Sequence, residues 1–208
     1  MGMCRCPYNE VASFVYRYSK GNRDIEILEV GSGDGNNLWY LTKEGFNIRG
    51  IEISQERINN ARMRLREDNL EVEIKQGSFT EIEYEDNMFD LVIDRGAITC
   101  VNYDEAKKAI SEIHRVLNKD GYFYFNPYSE QDSNLLKGSF TEDGRVKLSE
   151  NGLDKYAGIN FYSVKDIINI FDDKDWKIIE FNSITKKELI SSRNLNTGTF
   201  EIVAKKIN

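Results

Sequence analysis

Apolar positions along this chain switch between two periods. After Pro7, the residues Val11, Phe14, Val15 and Tyr18 fall at helical spacing, and Gly21 ends that first helix. Ile25 to Val30 is a short apolar run, read as a buried strand. A helix follows from about Asn36 to Glu44 and stops at Gly45, and a second strand covers Asn47 to Ile53. From Ser54 a helix carries Ile58, Ala61 and Leu65 on one face. Val72 to Gln76 and Phe89 to Asp94 read as the third and fourth strands. The cleanest stripe is Ala106, Ala109, Ile110, Ile113, Val116 and Leu117. It sits on a helix whose start is marked by Asn102 and Glu105 as a capping box. Asp120-Gly121 then turns into a fifth strand, Tyr122 to Asn126.

The periodicity lapses between 128 and 161, a polar stretch carrying Gly138, Gly144, Gly152 and Gly158. Connections of that length inside a domain are usually functional or disordered. Ser163 with Asp166 opens a last helix bearing Val164, Ile167, Ile168 and Phe171. Two strands close the pattern, Trp176 to Ile184 and Thr199 to Ala204, joined by a charged and polar segment. Strand-helix alternation predicts a parallel sheet, and the terminal pair predicts an antiparallel edge hairpin.

Where the first strand ends, the chain reads Glu29-Val30-Gly31-Ser32-Gly33-Asp34-Gly35. Glycines there admit positive φ and let a ligand approach the backbone. The helix behind them presents unpaired N–H groups and a positive dipole end. Dinucleotide-binding folds use a G-x-G-x-x-G spacing, whose third glycine would fall at Asn36. The spacing present, acid-x-G-x-G-x-G, resembles motif I of the class I S-adenosylmethionine-dependent methyltransferases. Glu52, the run Gln76-Gly77-Ser78-Phe79, the run Asp90 to Gly96 and the run Glu112 to Tyr122 extend that resemblance over nearly the whole chain from Ile25. Arg5-Cys6-Pro7-Tyr8, Gly35-Asn36-Asn37-Leu38-Trp39, Asp94-Arg95-Gly96-Ala97 and Phe125-Asn126-Pro127-Tyr128-Ser129 are similar to small bacterial members of that class.

The resemblance implies an α/β fold: a Rossmann-like seven-stranded, mostly parallel sheet with one antiparallel edge strand and helices on both faces. It implies S-adenosyl-L-methionine as cofactor. Glu29, Gly31, Gly33 and Gly35 would surround its methionine part, and Glu52 would accept from the ribose hydroxyls. Ser78 and Phe79 would meet the adenine, and Asp94 would sit at the carboxyl end of the fourth strand. Ser78 stands where the family commonly has Asp. A neutral hydroxyl is a weaker acceptor than a carboxylate, so adenine recognition is expected to lean on shape and backbone. The division that follows is one methyltransferase domain over 1–208: an N-terminal helix (1–24), a cofactor-binding half (25–127), a substrate lid (128–161), and the last helix with the edge strands (162–208). Tyr128, Phe140 and Tyr156 are the expected aromatic anchors of the lid.

Methyl transfer from a sulfonium needs in-line contact, and a base only where the acceptor must lose a proton early. The single histidine, His114, falls on a helix surface away from the strand carboxyl ends. Asp94 is the base candidate and serves equally as a cofactor-side acceptor; Asp34 and the lid tyrosines are others. Arg95 suits a two-pronged contact with an anionic substrate, or an ion pair with a nearby acid. Asn126 and Tyr128 read as rim residues facing substrate. Cys4-x-Cys6 lacks the second pair that structural zinc wants, so no metal site is expected. Arg57, Arg62, Arg64 and Arg66 read as a solvated helix exterior. A net charge of −7 argues against a phosphate-tracking nucleic-acid binder. No apolar run is long enough to span a membrane, and three cysteines favour a reducing, cytoplasmic setting. The expectation is methyl transfer to a small-molecule acceptor, oxygen slightly favoured over nitrogen. The alternatives are a non-catalytic S-adenosylmethionine-binding module and, less favoured, a nucleotide-dependent oxidoreductase.

Overall fold

The computed structural model describes residues 7–148, 156–189 and 196–208. Helix α1 (Asn9–Ser19) leads into β1 (Glu26–Val30), α2 (Asn36–Lys43), β2 (Asn47–Glu52), α3 (Gln55–Glu67), β3 (Ile74–Gln76) and β4 (Phe89–Asp94). A short 3-10 turn (Ile98–Cys100) precedes α4 (Tyr103–Val116) and β5 (Leu117–Phe125). The last part holds a small hairpin, β6 (Ser139–Phe140) and β7 (Val146–Lys147), then α5 (Val164–Ile170), β8 (Trp176–Lys187) and β9 (Asn196–Lys206). Among the described residues the main sheet has the order β3-β2-β1-β4-β5-β9-β8. The pairs β1–β2, β1–β4, β2–β3 and β4–β5 are parallel, while β5–β9 and β8–β9 are antiparallel.

This is the expected class I layout, with one shift of place. The strand that runs against its neighbours is β9, inserted between β5 and the edge strand β8, so the antiparallel strand is not itself the edge. Both terminal strands extend past their expected ends because segment 185–198 pairs with itself in its described parts, Lys187 opposite Asn196. Residues 190–195 of that segment lie outside the described residues.

Alternation along the strands divides the apolar side chains between two cores. Ile27, Leu91, Ile93, Tyr124 and Val203 pack beneath α1, α2 and α3 with Phe14, Leu38 and Ile58. Leu28, Val92, Phe123, Phe125 and Ile202 pack beneath α4 and α5 with Ile110, Ile113 and Ile167. Helix starts are fixed locally. Asn102 Oδ1 accepts from Glu105 N at 2.9 Å while Glu105 Oε2 accepts from Asn102 N at 3.2 Å, and Ser163 with Asp166 repeats the device at α5.

Two polar fasteners close the end of the sheet away from the glycine loop. No helix is formed between β3 and β4. Arg115 holds that connection instead, donating to the carbonyls of Ile82 (2.7 Å) and Tyr84 (2.8 Å) and to Asp86 and Glu112. Glu112 also accepts from Ile82 N. Lys206 is buried, its ammonium donating to Asn87 Oδ1 and to the carbonyls of His114 and Leu117, each at 2.8 Å. His114 is therefore not an open surface histidine: it is half-buried with its ring edge-on to Trp176, and burial with the nearby Lys206 charge lowers its pKa. No helix among the described residues is long and apolar enough to cross a membrane.

Arg115→Ala leaves two carbonyls and two carboxylates of this fastener without their cation. Equilibrium urea unfolding should show a loss of about 1.5–3 kcal/mol, the usual worth of bonds to a charged donor; a change within error would mean the 77–88 connection holds without it.

Candidate functional site

Crossovers from β1 and from β4 leave in opposite directions along the sheet, which opens a crevice at their carboxyl ends. A cleft of about 730 Å³ lies there. The glycine loop forms one wall. Gly31, Gly33 and Gly35 all have positive φ, at 63°, 55° and 74°, but they serve different neighbours. A Cβ on Gly31 would lie 2.1 Å from Ala97 Cβ, and one on Gly35 would lie 2.8 Å from Ala61 Cβ on α3. Gly31 and Gly33 line the cleft. Gly35 is not among the lining residues; its close approach to Ala61 seats α2 against α3. Gly50 on β2, not singled out by motif, is needed too, because a Cβ there would meet Ser32 Oγ at 2.8 Å and Leu38 Cδ1 at 2.9 Å.

Glu52, at the end of β2, is buried and lines the cleft. It already accepts from Gly33 N (2.8 Å) and Ser54 N (2.9 Å), so it holds the glycine loop as well as facing the space where ribose hydroxyls would lie. Phe79 lines the cleft with its other face on the core. The Ser78 hydroxyl is turned into its own loop, 2.7 Å from Thr80 Oγ1 and accepting from Thr80 N. Its backbone and the Phe79 ring are what remain for a base, together with the exposed Ile53 on the same wall. Arg57 also lines the cleft, and its guanidinium donates to the Tyr156 hydroxyl of the lid. Arg64 is buried. These two arginines are thus not the solvated exterior expected of α3. The pattern of charges along the helix could not tell them from Arg62 and Arg66.

Glu29 ends in the floor of the cleft, 4% exposed. Its Oε1 accepts from Asn37 Nδ2 at 2.7 Å, and among the described residues its Oε2 has no partner. Burial pushes its carboxyl up to about 8, against the pull of the Asn37 bond. Ser32 Oγ and Asn36 Oδ1 are buried beside it, also without partners among the described residues. Three such acceptors around one glycine loop suit a ligand that brings a cation and hydrogen-bond donors. A cofactor with an ammonium group and a sulfonium fits this cradle, and Gly33 keeps the approach to it open.

Asp94 differs from its expected role. It is fully buried, and it is not among the residues lining the cleft. Its carboxylate accepts from Gly96 N (3.3 Å), Ala97 N (2.9 Å) and Ile98 N (2.9 Å), which fixes the turn after β4. Burial pushes it up to about 7, opposed by those three N–H groups. Its oxygens are thus directed to the backbone of the turn after β4. The three expected substrate residues do share the cleft: Arg95, Asn126 and Tyr128. Arg95 Nε donates to Glu10 Oε1 at 2.9 Å, and its guanidinium lies 4.1 Å from the centre of the Tyr8 ring. Asn126 Nδ2 donates to the Phe200 carbonyl at 2.7 Å. Tyr128 is half-buried, and burial raises its pKa.

The described part of segment 128–161 is built onto the sheet. Asp132 is buried and accepts from Gly198 N at 3.0 Å. Thr99 Oγ1 donates to the Asn160 carbonyl, Asn160 N to the Thr99 carbonyl, and Arg145 to the Cys100 carbonyl. Val146, Leu148 and Ile159 are buried. Tyr156 and Ile159 reach the cleft wall, as Tyr128 does. Phe140 is 72% exposed, so it anchors nothing. Gly152 and the pair Cys4 and Cys6 lie outside the described residues. Among the described residues, no three His, Cys, Asp or Glu side chains gather as metal ligands.

A glycine loop after β1, an acid ending β2 and a stacking residue after β3, in this strand order, define the cofactor cleft of the S-adenosylmethionine-dependent methyltransferases. Residues 28–125 match the family model described as "Methyltransferase domain". Among solved structures, an S-adenosylmethionine-dependent methyltransferase of Methanosarcina mazei shares the fold with a TM-score of 0.75 and 22% identity, over 97% of this chain and 99% of its own. A protein of Geobacillus sp., provisionally named a methyltransferase, is 31% identical over 136 residues, 61% of this chain and 53% of its length. A glycine/sarcosine/dimethylglycine N-methyltransferase of Actinopolyspora halophila is 27% identical over 64% of this chain and 25% of its length. A ubiquinone biosynthesis O-methyltransferase of Rickettsia bellii is 37% identical over 34% of this chain and 29% of its length. The chain spans about half or less of the length of the curated relatives it matches.

Gly31→Ala should destabilise the fold by about 1–3 kcal/mol through overpacking against Ala97, and should abolish S-adenosylhomocysteine binding by calorimetry. Gly33→Ala meets only the movable end of Arg57, at 3.2 Å. It should lose cofactor affinity with the smaller stability loss; the reverse ranking would mean that Gly33 is the packing glycine.

Glu29 supplies a pH test. A carboxyl whose pKa is higher folded than unfolded stabilises the fold at low pH, and that contribution is lost as pH rises from the ordinary carboxylate range through about 8. Glu29→Gln should therefore melt near the parent at pH 5 and above it at pH 8.5. A difference that does not change with pH would show that Glu29 ionises normally.

Proposed function

We propose that this protein transfers the methyl group of S-adenosylmethionine to a small-molecule acceptor held beneath the 128–161 segment. The observation that carries this reading is that one cleft is lined by Glu29, Gly33, Glu52 and Phe79 and also by Arg95, Asn126, Tyr128 and Thr199. A bound cofactor would supply an electrophilic methyl on a sulfonium; the chain itself supplies position and enclosure. Glu29, Ser32 and Asn36 would hold its amino-acid end, Glu52 its ribose and Phe79 its ring. Asp94 acts at one remove, as a positioning residue that sets the turn bearing Arg95 and Ala97. Tyr156 and Ile159 close the lid side and keep water from the reacting atoms.

With Asp94 occupied, the acceptor is one that needs no buried carboxylate base. An oxygen acceptor is supported by donor chemistry at Tyr128, which lines the cleft. The Tyr128 hydroxyl, its pKa raised by burial, stays protonated and can donate to an acceptor oxygen that arrives already ionised, which positions it for attack without a base; its charge is then consumed as the bond to the methyl forms. The relatives include both O- and N-methyltransferases by name, so the acceptor atom rests on this argument alone.

S-adenosylhomocysteine at about 100 times its dissociation constant should stabilise the protein by roughly 2.7 kcal/mol, read as a rise in Tm, and NAD should give no rise. Incubation with S-adenosylmethionine labelled in the methyl group and a pool of small metabolites should then move label into a small organic product. A thermal shift without label transfer would favour a binding module. A shift with NAD alone would overturn the cofactor assignment.

A further inference from the structure

We infer that this chain selects the base of its cofactor by a ring nitrogen and the ring faces and leaves the exocyclic amino group unread, so that a purine without that group is held as well as adenine; this rests on the methyltransferase reading above. The wall in question is the connection after β3, with Ile53 beside it. Gly77, Ser78, Phe79 and Thr80 all line the cleft. The side-chain oxygens of this wall are turned on one another: Ser78 Oγ lies 2.7 Å from Thr80 Oγ1 and accepts from Thr80 N at 3.1 Å. The Ser78 carbonyl is taken as well, by Glu81 N at 3.2 Å. Donors are what the wall has to spare. Among the described residues, the backbone N–H groups of Ser78 and Phe79 make no hydrogen bond. An unprotonated ring nitrogen accepts from such a group, whereas an amino group is itself a donor and gains nothing from it.

A carboxylate would single out the amino group, because a charged acceptor bonds about twice as strongly as a neutral one. None of the carboxylates lining the cleft stands on this wall. Glu29, Asp34 and Glu52 belong to β1, the glycine loop and β2, and Glu105 is drawn back onto the Asn102 amide at the start of α4. Glu81 and Glu83, which do follow β3, are not among the lining residues. What meets the ring is apolar: Phe79, backed by the core, and Ile53, 71% exposed. Stacking tolerates changes at the edge of a base, since every base has a π-face. Two altered bases then behave differently. Taking the amino group away leaves the neighbouring ring nitrogen an acceptor. Replacing it by oxygen, as in hypoxanthine, puts a proton on that nitrogen and sets donor against donor.

The test compares, by calorimetry on the whole protein, S-adenosylhomocysteine, its analogue with hydrogen in place of the amino group, and S-inosylhomocysteine. The analogue without the amino group should bind within about three-fold of S-adenosylhomocysteine, and S-inosylhomocysteine at least about ten-fold more weakly. Ser78→Asp puts a charged acceptor on the wall. Its preference for S-adenosylhomocysteine over the analogue without the amino group should rise to at least about ten-fold. A rise in its Tm with S-adenosylhomocysteine shows that the variant folds. Loss of ten-fold or more in the parent on removing the amino group would overturn the proposal. So would S-inosylhomocysteine bound as tightly as S-adenosylhomocysteine, or a folded Ser78→Asp that discriminates no better than the parent. Failure of S-adenosylhomocysteine to bind the parent protein would overturn the methyltransferase reading, and this proposal with it.

Discussion

The buried carboxylate of Asp94 is the constraint on which the cleft depends. Placed at the end of a central strand and out of water, it would be costly without partners, and the chain gives it three backbone N–H groups from residues 96 to 98. That clasp bends the backbone sharply after β4 and puts Ala97 against Gly31, so closely that no side chain fits between them. The glycine loop on β1 and the turn on β4 are thereby locked to each other across the crevice. From that joint, Glu52 ties the loop to β2 and Asn126 ties β5 to β9. Each strand end around the cleft is fixed to the next by one polar side chain, while the apolar alternation fixes only which face each strand shows.

Much of this was legible in the sequence. Period-2 and period-3.6 patterns separate the strands from the helices, and the capping signals at Asn102 and Ser163 mark real helix starts. The run acid-x-G-x-G-x-G located the loop, and the acid after the second strand located its partner. What stayed hidden was direction. Sequence reveals that Asp94 ends a strand but not that its oxygens turn inward to the backbone. Nor does it separate Arg57, which faces the cleft, from Arg62 on the same helix. Gly50 was hidden for another reason: its role is to make room for Ser32 and Leu38, residues brought near only by the parallel pairing of β1 and β2. The long polar segment looked irregular because its buried residues, Val146, Leu148 and Ile159, follow no period: Val146 pairs with Ile159, Leu148 lies against Gly138, and Ile159 reaches the cleft.

The cleft has two ends of different origin. Its cofactor end is made by β1, β2 and the connections after them, strands that are neighbours in both sequence and space. The rest of its lining draws on Tyr8 before α1, on the turn after β4 through Arg95, on Asn126 after β5 and on β9 through Thr199. Variation in the 128–161 segment and in β9 can therefore reshape that part of the cleft without touching the glycine loop. That is the division of labour expected where one scaffold serves many acceptors.

The position of β9 has a consequence for how the molecule assembles. It follows β8 in sequence, yet it lies between β5 and β8 and contributes both Thr199 and the Gly198 amide that Asp132 anchors. During synthesis the parallel core from β1 to β5 can gather from contacts close in sequence, whereas the slot beside β5 stays vacant until β9 emerges after α5 and β8. The glycine-loop wall of the cleft thus belongs to the early part of the folding order, and the wall at Thr199 to a later one. A nascent chain short of β9 would hold a formed glycine loop beside an open sheet edge, which is where a chaperone or a second nascent chain would find its purchase.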